Sequence, residues 1–295
     1  MKGSVLLAGF EEPWEHVRLL SDATRTEQLV ALLKAHAPDS VVTEVGCGTG
    51  LLSCIAARLG AKKVFGVEPT PLWSQARRLV EANGLQDVVE IVPGRVQDVG
   101  EKPSDLVFSE LLNADPFLEE VVEAMRGAAA WVKPGGVLAP SRLQVFAALI
   151  RDGSSAAEVR QARASVGALG AEYDLDLQPL QSCIGQAGVY SYISSNVVLA
   201  GPPVRVWDIA LGTEQDPEPM VSLELPVDEP GPVGGAVVWF EADYLAGGTM
   251  HNRPDTPNHW GNLVCAWPEE IGVRMGGSVS VDVVLEEHHV EVRPR

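Results

Sequence analysis

Val41-Val42-Thr43-Glu44-Val45-Gly46-Cys47-Gly48-Thr49-Gly50-Leu51-Leu52 is the stretch on which the reading of this chain turns. A short β-branched run gives way to glycines at alternate positions, and Leu51 to Leu59 then continues as a helix closed by Gly60. Such a passage is a tight strand-to-helix turn, in which backbone can approach a ligand closely and the first helical N–H groups face it. The same alternation extends along the chain. Val64 to Val67 reads as a second strand and Leu72 to Ala82 as the next helix, ending at Asn83-Gly84. Val88 to Val92 and Leu106 to Ser109 read as further buried strands, and Phe117 to Trp131 as a helix stopped by Lys133-Pro134-Gly135-Gly136. Strands alternating with helices in this way predict an α/β fold on a mostly parallel, Rossmann-like sheet.

Beyond Pro140 the pattern changes. Val145 to Ile150, Val197 to Leu199, Val204 to Ile209, Val221 to Leu225, Ala236 to Phe240, Leu263 to Trp267 and Val279 to Leu285 are short strand-like runs separated by Gly, Pro and acidic residues. They predict an antiparallel sandwich or barrel-like half. Ala156 to Leu169 reads as a helix and, with the irregular stretch Tyr173 to Tyr192, interrupts the β pattern as a candidate arm or lid. The expected organisation is two coupled halves: residues 1–140, carrying the glycine turn and N-terminal helices, and residues 141–295, with an insertion at about 155–195. A chain of 295 residues that is 46% hydrophobic can bury the core this requires.

The charge balance narrows the partners. Against 22 basic residues stand 40 acidic ones, a formal charge of −18, so a nucleic-acid surface would oppose the field of the whole protein whereas a basic substrate would not. Much of that acid serves solubility alone. Cys47, Cys54, Cys183 and Cys265 are scattered, with neither a CxxC pair nor a zinc-like Cys/His spacing, which points to no metal, no disulfide framework and a reducing cytoplasm. The Val5 to Phe10 run is too short for a signal peptide and no later apolar run reaches bilayer length, so no membrane role is expected.

Two sets of acids carry chemistry. Glu68 closes the second strand, where an acid accepts hydrogen bonds from both ribose hydroxyls, so the glycine turn and Glu68 together predict a nucleotide-like cofactor. Glu110 and Glu119, nine residues apart beyond the Leu106–Ser109 strand, predict a cationic group held between paired carboxylates, one at the strand end and one returning on the next helix. Glu120 and Glu123 read as solvated, and Cys47 as a small packing residue with no activating base. His288 and His289 are expected on opposite faces of a strand, and the tryptophans in the core.

The spacing Gly46-Cys47-Gly48-Thr49-Gly50 departs from the GxGxxG of dinucleotide folds, and Glu44 to Gly50 resembles the first motif of S-adenosylmethionine-dependent methyltransferases. Ser109-Glu110 through Glu119 resembles the double-glutamate hairpin of the protein arginine N-methyltransferase family. Asp22-Ala23-Thr24-Arg25-Thr26 resembles that family's segment ahead of the cofactor fold, and Asn258-His259-Trp260 its Thr-His-Trp loop. The matches occur in the family's order, from about His16 to Val292. The resemblance implies S-adenosyl-L-methionine as cofactor, S-adenosyl-L-homocysteine as product, and an arginine-containing protein or peptide as substrate. It assigns Arg25 to the cofactor carboxylate, and Gly46, Gly48 and Gly50 to its methionine and ribose side, with Glu44, Cys47 and Leu51 beside them. Glu68 and Pro69 fall to the ribose, Val96 and Gln97 to the adenine. Glu110, which also borders the cofactor, and Glu119 grip the guanidinium; Asp22 and His259 pair beside it and Trp260 packs behind. A homodimer is also implied, because Tyr173-Asp174-Leu175-Asp176-Leu177 through Gly188 resembles the family's dimerisation arm.

Two acids suit such a substrate. Guanidinium has a pKa above ~12, so no ordinary base removes its proton at neutral pH. Paired carboxylates instead hold the planar fork and polarise charge away from the attacked nitrogen. Where the family places an aromatic YFxxY helix this chain has Leu6 to Phe10, and Leu112 and Ala114 stand near the family's Met and Tyr wall, predicting a reshaped pocket. Two alternatives stay open: a small-molecule methyltransferase for free arginine or another guanidine, and a non-catalytic binding module on the same fold.

Overall fold

The computed structural model describes residues 19, 21–151, 153–178, 189–191 and 198–295. Its first half is one sheet of five parallel strands, β1 (Val41–Val45), β2 (Lys63–Glu68), β3 (Val89–Pro93), β4 (Ser104–Ser109) and β5 (Val132–Ala139), in the order β3-β2-β1-β4-β5. Helices α1 (Ala23–His36), α2 (Leu51–Arg58), α3 (Trp73–Ala82) and α4 (Val121–Ala129) accompany it. Apolar side chains such as Val42, Val64, Leu106, Val107 and Phe108 are buried along these strands, as expected of a parallel sheet covered on both faces. The chain leaves β1 toward β2 on one side and returns to β4 on the other. Their carboxyl ends therefore border the crevice in which doubly wound sheets bind ligands.

The second half begins at β6 (Arg142–Ile150), two residues beyond a cis Ala139–Pro140 bond. After helix α5 (Gly153–Tyr173) come β7 (Val189–Ser191), β8 (Val204–Ala210), β9 (Met220–Pro226), β10 (Gly231–Asp243), β11 (Thr249–His251), β12 (Asn262–Val273), β13 (Ser278–Glu286) and β14 (His289–Pro294). One antiparallel sheet runs β7-β12-β10-β6-β8, with β11 beside β10; a second runs β14-β13-β9. The expected barrel-like half is these two sheets in contact: Trp267 on β12 donates its indole N–H to the Val292 carbonyl on β14 at 2.9 Å. A continuous core joins both halves, from Leu29 and Phe108 through Phe117 and Trp207 to Val281.

Four details depart from the sequence reading. The helix expected over Phe117 to Trp131 starts only at Val121, because Glu120 takes a left-handed φ of 56°; Glu119 therefore lies in the preceding loop, not on the helix. Lys133 to Gly136 does not end a helix but loops out within β5: Val132 pairs with Ser104 and Val137 with Leu106, leaving four residues of β5 opposite Asp105. Gly135, at φ +80°, makes that excursion possible. In place of the strand expected at Val197 to Leu199, Leu199 forms an isolated bridge to Ile150, and residue 197 lies outside the described residues. His288 does not share a strand with His289; Glu287 and His288 form the left-handed turn between β13 and β14. The Leu6 to Phe10 segment, Trp14, His16, Cys183, residues 179–188 of the expected arm and Tyr192 lie outside the described residues.

Candidate active site

At the carboxyl end of β1 the chain turns through Gly46, Gly48 and Gly50, all at positive φ (73°, 52° and 78°). The amides of Gly46 and Cys47 donate to the Val67 carbonyl at 2.9 and 3.0 Å, fixing the turn against β2. A Cβ on Gly46 would fall 2.5 Å from the Leu111 side chain and one on Gly50 3.0 Å from Ala76 Cβ, and at these positive φ values any side chain there would be strained. Glu68, buried at the end of β2, faces the turn. Its Oε2 accepts the Gly48 amide at 2.7 Å; its Oε1 accepts the Thr70 amide at 2.9 Å and the Thr70 hydroxyl at 2.6 Å. Glu44 lies behind the turn, accepts the Ser53 hydroxyl of α2, and is pushed by burial up to about 8, so it braces the cradle as a neutral acid. The buried Cys47 thiol is also pushed up, chiefly by burial, which makes it an inert packing group. Val96 is buried in the core, while the Gln97 side chain donates to the Glu123 carbonyl at 3.3 Å. Pro69 is exposed beside Glu68, and Leu51 opens α2.

On the other side of the crevice, residues remote in sequence converge. Asp22 caps α1, its Oδ1 accepting the Arg25 amide at 3.0 Å, while its Oδ2 accepts the His259 amide at 3.2 Å and lies 2.8 Å from His259 Nδ1. Burial alone would raise the Asp22 pKa, but these hydrogen bonds outweigh it and the net shift is downward. Burial pushes His259 down, despite opposing attraction from Glu110 and Asp22. The pair is therefore a carboxylate holding a neutral imidazole, with the proton on Nδ1. One turn into α1, Arg25 is buried and bidentate on Glu110 Oε2, with Nε at 2.7 Å and Nη2 also in contact. Trp260 donates its indole N–H to Glu110 Oε1 at 3.3 Å, and its ring stands edge-on to Phe240 and tilted against His259.

Glu119 completes the group. Asn113 Nδ2 donates to its Oε1 at 3.0 Å, and burial, reinforced by the nearby Glu110 charge, pushes its carboxyl up to about 8. Leu112 and Ala114 are both buried within the hairpin, Leu112 as part of the main core. The structure thus brings Asp22, Arg25, Glu110, Glu119, His259 and Trp260 together, and places Glu68 with the glycine turn. Three contributors escaped the sequence reading. Thr70 was findable, since a hydroxyl two residues past Glu68 can close a local turn on its carboxylate. Asn113 and Tyr244 were not. Tyr244, fully buried after β10, donates its hydroxyl to the Ser109 carbonyl at 2.8 Å and so anchors the strand end next to Glu110 from the second half of the chain.

A family model described as a methyltransferase domain matches residues 43–139. The probable protein arginine N-methyltransferase 6.1 of Oryza sativa subsp. indica is 39% identical over 140 residues, 46% of this chain and 37% of that protein. The histone-arginine methyltransferase CARMER of Drosophila persimilis is 26% identical over 286 residues, 91% of this chain and 53% of that one. The chain therefore spans about half the length, or less, of these curated relatives. Among solved structures, Arabidopsis thaliana protein arginine methyltransferase 10 superposes with a TM-score of 0.78 at 23% identity, over 94% of this chain and 89% of that one. The Trypanosoma brucei PRMT1 enzyme-prozyme heterotetrameric complex with AdoHcy gives 0.78 at 21%, over 93% and 88%. Residues 43–139, which carry the glycine turn, Glu68 and Glu110, thus match a methyltransferase domain. Within that class the chain is similar in sequence and fold to protein arginine N-methyltransferases.

Proposed function

We propose that this chain is an S-adenosylmethionine-dependent methyltransferase that modifies an arginine guanidinium of a protein or peptide. The observation that carries this reading is the carboxylate hairpin. Glu110 already holds one guanidinium, that of Arg25, in a desolvated setting, and Glu119 beside it is a second acid with a single side-chain donor, Asn113, among the described residues. The residues present fit the cofactor: a glycine turn at positive φ where a Cβ at Gly46 would press on Leu111, Glu68 pinned against it, and the buried cation of Arg25 across the crevice. Arg25 would hold the cofactor carboxylate, Gly46, Gly48 and Gly50 its methionine and ribose side, Glu68 the ribose, and the Val96 backbone with Gln97 the adenine. Bound there, its sulfonium supplies an electrophilic methyl group.

The chain's own residues do the rest. Glu110 and Glu119 orient the planar fork and draw its charge away from the attacked nitrogen, so orientation and desolvation of the ion pair supply most of the rate. Arg25 and Trp260 fix Glu110 in place. The proton shed after transfer has two acceptors in reach of neutral pH, Glu119 and the Asp22–His259 pair. The net charge of −18 favours a basic polypeptide. The exposed Leu169, Tyr173 and Leu175 at the end of α5 suit a subunit contact in a homodimer, and the buried free thiols suit a reducing cytoplasm.

The test is methyl transfer from labelled S-adenosylmethionine to arginine peptides and, in parallel, to free arginine. Label on peptide arginine that both Glu110→Gln and Glu119→Gln abolish supports the reading. Preference for free arginine moves the substrate to a small guanidine, and tight cofactor binding without transfer leaves a binding module.

A further inference from the structure

Asp115 stands in the middle of the carboxylate hairpin, midway between Glu110 and Glu119, and it is an unusual residue to bury there. Its side chain is 1% exposed, and within its own loop the Phe117 amide faces the carboxylate. What holds its Oδ2 comes from the far end of the chain: the Val290 amide donates at 3.1 Å and His289 Nδ1 lies at 3.4 Å. Both belong to the start of β14, just past the left-handed Glu287-His288 turn. That turn presents a second contact, because His288 Nε2 lies 4.0 Å from Glu120 Oε1, and Glu120 follows Glu119 directly. Glu120 is in turn paired with Arg95, next to the Val96-Gln97 segment. The tip of the β13–β14 hairpin thus reaches the loop that carries the reactive acids at two points.

We propose that this turn is a brace for the carboxylate hairpin, with Asp115 and His289 as positioning residues that fix Glu119 relative to Glu110. The inference rests on the arginine methyltransferase reading for its effect on rate, though not for the contact itself. A carboxylate buried this fully is costly unless a cation stands beside it. His289 supplies that cation when protonated, and its exposed flank lets it exchange protons with solvent. The groups facing it are Asp115, Glu291 and Glu287, all acidic; they raise its pKa, Asp115 first, against the opposing effect of burial. The brace is complete while Asp115 is ionised and His289 protonated, and because the folded His289 value is raised, it persists through the ordinary histidine range and is lost as pH rises through the raised value. Burial also raises Asp115, so the pair is weakened at the acid end as well, where pH falls through the raised Asp115 value and the carboxylate takes up a proton. Cys265, the other titratable group beneath the turn, is held neutral by burial.

The experiment uses the whole chain. His289→Ala, on the partly exposed side of the contact, is expected to lower kcat about 10- to 100-fold through misplacement of Glu119, with the KM for S-adenosylmethionine unchanged. It should also speed amide exchange across 111–119. His289→Gln keeps a donor toward Asp115 without a titrating group, so it should restore much of the rate and flatten the wild-type decline on the alkaline side. A kcat for His289→Ala equal to wild type, with the same pH profile, overturns the proposal. Should the wild-type chain transfer nothing to arginine, the catalytic reading fails separately, and exchange decides the brace: faster exchange in 111–119 in His289→Ala supports it, and unchanged exchange overturns it.

Discussion

At the glycine turn both of the chain's acids are satisfied by the chain itself, whereas in the carboxylate hairpin only one of the pair is. Glu68 accepts three hydrogen bonds, from Gly48 and twice from Thr70, and Glu44 is neutral under the Ser53 hydroxyl. Across the crevice Glu110 takes Arg25 and Trp260, but Glu119 has one donor among the described residues, Asn113. The first region is a finished cradle whose shape precedes its ligand; the second holds a carboxyl group that ionises when a cation arrives. The difference separates binding from chemistry: cradle residues should govern cofactor affinity, and hairpin residues the rate.

The sharpest way to break that division is to exchange the symptoms. Glu119→Gln keeps the size of the side chain and removes the charge. It is expected to cut kcat by about 10²- to 10³-fold, the range for loss of one preorganised charge at a reacting centre, with cofactor binding intact. Glu68→Ala is expected to weaken cofactor affinity by roughly tenfold or more, through lost charge-assisted hydrogen bonds, and to spare kcat at saturation. Steady-state kinetics with a calorimetric Kd for the cofactor checks both. A Glu119→Gln variant that loses cofactor affinity but turns over normally would erase the distinction.

A subtler contrast lies in two acids pushed to the same value. Glu44 and Glu119 both stand at about 8, each chiefly through burial, and both are protonated at pH 7. A guanidinium arriving beside Glu119 lowers its pKa, and the proton is expelled; Glu44, sealed under Ser53, keeps its own. Binding of an arginine peptide at pH 7 should therefore release close to one proton, declining as pH rises past about 8, where Glu119 is already ionised. Calorimetry in buffers of different ionisation enthalpy reads this directly. The release should vanish in Glu119→Gln and persist in Glu44→Gln; persistence in both would mean that the proton comes from elsewhere.

The two regions also differ in how far the sequence discloses them. The glycine turn, Glu68 and the alternation around them are local, and the structure places each where periodicity predicts. The hairpin is legible at Glu110, which sits at a strand end, and less so at Glu119, where a left-handed Glu120 delays the helix in a way no apolar pattern announces. Lys133 to Gly136 has the composition of a helix stop and serves as a loop-out in a strand, because its neighbours Val132 and Val137 keep their pairing with β4. Nothing local could reveal that Asp22 and His259, 237 residues apart, share a hydrogen bond, or that Arg25 lies on Glu110; the resemblance supplied the first pair and the structure alone the second contact. Asn113 and Tyr244 act through single polar atoms on residues whose types fit loop and core equally well.

Tyr244 gives the mildest test, since it joins the halves at the strand end that serves both regions. Its hydroxyl donates to the Ser109 carbonyl, and burial, with the Glu110 charge adding to it, pushes its pKa far up, so the phenol stays a donor throughout the working pH range. Tyr244→Phe keeps the ring in the core and removes one buried hydrogen bond, which costs about 1 kcal/mol of stability. If Ser109 only needed the ring's bulk, denaturant unfolding would show that loss while kcat stayed the same. Because Ser109 leads directly into Glu110, the expectation is a drop in kcat of about threefold or more beside the stability loss, with cofactor affinity unchanged, since displacement of a reacting group is felt in rate before binding. A change confined to cofactor affinity would show instead that the second half of the chain supports the cradle and not the hairpin.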